Sequence, residues 1–92
     1  MEGYNYEINA YTASGISSCL SNFMDCKQGN GVFDLIDIIE DAEGDAQKAA
    51  RMLNNCKQIY GTFAVYRKTT NGFVLCNTDR CGNKSFIKVR RM

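Results

Sequence analysis

Thr62-Phe63-Ala64-Val65-Tyr66-Arg67-Lys68-Thr69-Thr70-Asn71-Gly72-Phe73-Val74-Leu75-Cys76-Asn77 is the stretch that decides how this chain folds. Its apolar residues recur at every second position, the period that turns one side of a strand inward and the other to water. Thr69-Thr70-Asn71-Gly72 lies between the two runs and has the composition of a hairpin loop. The spacing predicts strands over 62–68 and 73–77, and the same period returns over 84–90. Two hairpin registers compete. A two-residue Asn71-Gly72 turn sets Phe73 and Leu75 beside Tyr66 and Lys68, which spreads apolar residues over both faces. A three-residue Thr70-Asn71-Gly72 loop with Gly72 left-handed aligns Phe63 and Val65 with Phe73 and Leu75, and is preferred because it yields one buried face. Carried into the last strand, it turns Ile87 and Val89 inward and gathers Tyr66, Lys68, Phe86, Lys88 and Arg90 on the other side.

Upstream, Tyr4, Tyr6, Ile8 and Ala10 alternate with Asn5, Glu7 and Asn9, which predicts a first strand. Ile16, Cys19, Leu20, Phe23 and Met24 then keep helical spacing, with Ser14 placed to cap the start. Gln28-Gly29-Asn30-Gly31 breaks the chain before a second helical pattern in Val32, Leu35, Ile36 and Ile39. Gly44 ends or kinks that helix. Asp45 suits the cap of a third, in which Ala46, Ala49, Ala50, Leu53 and Cys56 form the apolar stripe and Gly61 is the expected stop. The order β-α-α-α-β-β-β predicts an α+β fold, an antiparallel sheet of about four strands with the helices packed on one face. A chain of 92 residues builds one core, so 1–92 reads as a single compact domain.

Composition narrows the chemistry. With 45% hydrophobic and 23% charged residues the chain has the balance of an ordered globular protein. Its start, Met1-Glu2-Gly3-Tyr4-Asn5-Tyr6-Glu7, lacks the basic and then apolar character of an export signal. Asp34 and Asp37 interrupt the longest apolar run, so no membrane span is expected and the expected location is the cytoplasm. The five cysteines, an odd number, read as free thiols in a reducing compartment. Cys19-x6-Cys26 is not a zinc-ribbon spacing; Cys19, Cys56 and Cys76 suit small buried positions, while zinc and a Cys76–Cys81 disulfide are the competing readings. No metal or cofactor is expected.

Histidine is absent, which removes the commonest general base and the usual partner of a Ser or Cys nucleophile. Cys81 beside Arg80 is the obvious candidate for a thiol whose pKa a neighbouring cation lowers, but no positioned base accompanies it. The acidic run around Asp41 and Asp45 has no EF-hand register, and Gln28-Gly29-Asn30-Gly31 has neither phosphate-loop pattern. The chain is therefore not expected to be an enzyme.

The formal charge of +1 conceals a division, −6 over residues 1–56 and +7 over residues 57–92. Two candidate surfaces follow. Asp34, Asp37, Glu40 and Asp41 form an acidic helical face; Tyr66, Lys68, Phe86, Lys88, Arg90 and Arg91 form a basic and aromatic sheet face. The expected function is that of a small intracellular interaction protein, an inhibitor, adaptor or regulator that binds another protein through one of them. Single-stranded nucleic acid is the alternative partner, its bases stacking on Tyr66 and Phe86 for about 1–3 kcal/mol each. Opposite patches on one chain also invite self-association.

Overall fold

Strand alternation and helix spacing sort the chain into two layers. The structure is a computed structural model that describes residues 5–18, 31–56, 59 and 61–92, with the backbone alone for 31–34. Five strands, β1 (Tyr6–Thr12), β2 (Ser17–Ser18), β3 (Thr62–Thr69), β4 (Gly72–Thr78) and β5 (Lys84–Arg91), form one antiparallel sheet in the order β2-β1-β5-β4-β3. Among the described residues two helices, α1 (Gly31–Asp41) and α2 (Ala46–Asn54), lie on one side of it.

The α+β class and the three C-terminal strands follow the sequence expectation; among the described residues the sheet has five strands where about four are expected. The segment expected to begin a helix at Ser14 forms a tight turn instead. The Thr12 N–H donates to the Ile16 carbonyl at 2.8 Å, Gly15 is left-handed at φ 82°, and Ser17 and Ser18 pair back onto Tyr11 and Ala10. Ile16, expected to head a buried stripe, is 66% exposed. The rest of that expected helix, with Cys19 and Cys26, lies outside the described residues, as does Tyr4.

The remaining helical pattern behaves as its spacing requires. Leu35 and Ile39 of α1 are fully buried. Gly44, at φ 84°, reverses the chain, and the Asp45 side chain accepts the Lys48 N–H at 3.1 Å to cap α2. Ala46, Ala49, Ala50 and Leu53 then face the sheet. Three alanines in that stripe let the helix approach β3 and β4 closely. The helix ends at Asn54, before the expected stop; Gly61 is left-handed at φ 80° but precedes β3. The core joins these helix residues to Ala10, Phe63, Phe73, Leu75, Ile87 and Val89 of the sheet.

The hairpin uses neither register weighed from the sequence. Thr69 pairs with Gly72, so the loop is the dipeptide Thr70-Asn71 and Gly72 belongs to the strand. Such a loop alone would send Phe63 and Val65 to the wrong face, and a β-bulge corrects it. Lys68 pairs with Phe73 and Arg67 with Val74, but Val65 pairs with Leu75, so Tyr66 is the extra residue. The expected single apolar face is reached, with Val65 beside Leu75 and Ile87.

Candidate functional site

Pairing fixes which side chains share the face turned away from the helices, because residues opposite one another across a ladder point to the same side. One row runs Tyr11, Phe86, Cys76, Ala64; the next Asn9, Lys88, Val74, Arg67; the last Glu7, Arg90, Gly72. Tyr66, expelled by the bulge, joins them: its ring meets that of Phe86 edge-on at 64°, with centroids 4.8 Å apart. Tyr66 is 60% exposed, one of the few large apolar side chains open to solvent among the described residues.

The expected basic and aromatic face is only partly assembled. Tyr66, Phe86, Lys88 and Arg90 share it. Lys68 does not, because the bulge shifts the alternation and sets Lys68 in the row of Phe73, Val89 and Ile8 on the helix side. Arg91 is opposite Tyr6 and turns the same way; both cations line a polar cleft with Tyr6, Glu43 and Asp45. Arg67 replaces Lys68 on the outer face, and Tyr11 adds an aromatic beside Phe86. Sequence reasoning missed both, Arg67 because the bulge hides in an unbroken alternation and Tyr11 because β1 runs further than its apolar residues suggest.

Charge on the face is partly internal. Arg90 Nη2 donates to Glu7 Oε2 at 2.9 Å, and Asn9 Nδ2 donates to Glu7 Oε1 at 3.0 Å. The Arg90 hydrogen bond, helped by the one from Asn9, holds the Glu7 carboxyl below its ordinary range. Arg67 and Lys88 are exposed, and neither has a carboxylate within 4 Å among the described residues.

The acidic face is thinner than its sequence. Asp37 and Asp41 are exposed, while the Asp34 side chain lies outside the described residues. Glu40 serves the fold: its carboxylate accepts the N–H groups of Asn5 and Tyr6, each at 3.0 Å from its nearer oxygen, and the Asn5 side-chain amide at 3.2 Å. At the β4–β5 connection, Asp79 Oδ1 accepts the N–H groups of Cys81 and Asn83, both at 2.8 Å. Cys56 and Cys76 are half-buried and Cys81 is exposed. No group of three or more Cys, Asp or Glu is placed to hold a metal ion among the described residues, and no helix among them is long and apolar enough to cross a membrane.

Comparison with protein families, with curated proteins and with solved structures gave no match to this chain.

Proposed function

We propose that this chain is a non-enzymatic interaction protein that binds another protein through the helix-free face of its sheet, with Tyr66 and Phe86 as the apolar anchor and Arg67 and Lys88 beside it. The exposed Tyr66 ring resting on Phe86 carries this reading. A rigid aromatic with a polar tip gains contact area at little entropic cost, and Tyr and Arg dominate the energetic centres of protein interfaces. The two flanking cations favour a partner with carboxylates around an apolar centre. The same arrangement gives less support to nucleic acid, since Lys68 and Arg91 face the other way and Arg90 is engaged by Glu7. The acidic helical face is the weaker of the two candidates, because Glu40 is committed to β1.

The test compares affinity capture from native lysate by the wild-type chain, by Tyr66→Ala with Phe86→Ala, and by Arg67→Glu with Lys88→Glu, each first shown to be folded by circular dichroism. Loss of the same captured protein in both double variants is the expected result; unchanged capture overturns the assignment. Titration of labelled single-stranded RNA and DNA at several salt concentrations runs alongside. Tight, steeply salt-dependent binding lost in the same variants would transfer the face to nucleic acid.

A further inference from the structure

We infer that the groove between α2 and β3 accepts an acidic, extended peptide segment of a partner as an additional strand of the sheet. This surface is separate from the outer face and does not depend on it. β3 ends the sheet order, so among the described residues no strand lies on one side of its backbone. Phe63 shows where that side points: its N–H and C=O turn away from β4 and meet the side chain of Asn54 at the end of α2. Val65 lies two residues on in unbroken register, so its N–H and C=O point the same way, into the groove. Gln47, Ala50, Arg51, Asn54, Phe63 and Val65 line it, with an apolar floor at Ala50 and Phe63 and a polar rim on the helix.

A helix running beside an open strand edge is the geometry of strand addition, in which the main chain supplies affinity and the helix supplies selectivity. Charge selects the occupant. Arg51 is the charged side chain among the residues that line the groove, and no Asp or Glu lines it. A segment bearing carboxylates at alternate positions would set one against Arg51, whereas a basic one would be repelled. The opening is also short. Asn54 occupies the ladder positions of Phe63 at one end and the bulge at Tyr66 bends the edge at the other, which suits a single short segment and discourages sheet-to-sheet stacking.

The test uses two fluorescein-labelled octapeptides, one alternating Glu and Val and one alternating Lys and Val, titrated by fluorescence anisotropy. The Glu-Val peptide is expected to bind about tenfold or more tighter, and amide resonances of Val65 and Lys68 are expected to shift on its addition. N-methylation of alternate peptide amides should abolish binding, and Arg51→Glu, on an exposed helix position, should remove the preference between the peptides. Equal affinity for the two peptides, failure of the Glu-Val peptide to bind folded protein, or shifts confined to the Tyr66 and Phe86 face would each overturn the proposal.

Discussion

Asn54 meets the backbone of Phe63 at two points: its Nδ2 donates to the Phe63 carbonyl at 2.9 Å, and the Phe63 N–H donates to its Oδ1 at 2.7 Å. A primary amide has the donor and acceptor spacing of a peptide group, so the last residue of α2 stands in for a neighbouring strand. It ties helix to sheet and covers the open edge of β3 at that residue. Asn54→Ala removes both of these hydrogen bonds, at a cost of about 1–3 kcal/mol in urea unfolding. Asn54→Asp keeps the acceptor for the N–H but sets a charge against the carbonyl, so it should recover only part of that loss. Light scattering should show more self-association in the alanine variant than in wild type, and an unchanged midpoint and mass would remove the edge-covering role.

Gly72 is fixed by proximity. A Cβ there would come within 1.9 Å of the Val89 carbonyl oxygen and 2.8 Å of its carbon, both backbone atoms in the neighbouring strand. Gly72→Ala must therefore separate β4 from β5 next to the hairpin turn, with an expected loss of about 2–4 kcal/mol. Gly82, which has open space around its Cβ position, is the contrasting case in which strain comes only from its φ of 84°; Gly82→Ala should cost about 1 kcal/mol. The ordering of the two midpoints in denaturant is the measurement.

Glu40 joins the last turn of α1 to the entry of β1 through the N–H groups of Asn5 and Tyr6. Glu40→Gln retains an acceptor oxygen, whereas Glu40→Ala retains none. The alanine variant should lose about 1–2 kcal/mol and show faster hydrogen exchange at Tyr6 while the exchange of Leu75 and Ile87 changes only with global stability. Equal protection of Tyr6 in both variants would refute this link.

The sequence discloses most of the fold because the core obeys simple periods. Leu35 and Ile39, and Ala46, Ala49, Ala50 and Leu53, are buried where helical spacing puts them, and Phe73, Leu75, Ile87 and Val89 where strand alternation does. The outer face is less legible. One bulge residue moves Lys68 from one side of the sheet to the other, and an alternation broken by a single insertion has no local signature when the neighbours, Tyr66 and Arg67, suit either side. Glu40 shows a different limit: its position in a run of carboxylates gives no sign that two backbone amides some 35 positions away in sequence will bind it. Ile16 illustrates a third, since a left-handed Gly15 turns the chain back on β1 and leaves Ile16 in solvent although its spacing suits a buried stripe.

Acid should loosen the β4–β5 connection before the sheet. Asp79 accepts the N–H groups of Asn83 and Cys81, and these hydrogen bonds, the one from Asn83 foremost, hold its carboxyl below the ordinary value of 3.8. A carboxyl lowered in the folded chain binds protons more readily when unfolded. Its contribution is therefore complete above about pH 5 and fades as the pH falls through the folded-state pKa. Glu7, lowered from 4.5 by Arg90, acts in the same direction. The Cys81 and Asn83 amide resonances should move together in an acid titration with a midpoint below 3.8, while Ile87, in the centre of the sheet, stays in place until global unfolding. In Asp79→Asn that shared titration should vanish. A midpoint at or above the ordinary aspartate value would mean that the loop hydrogen bonds do not favour the charged carboxylate.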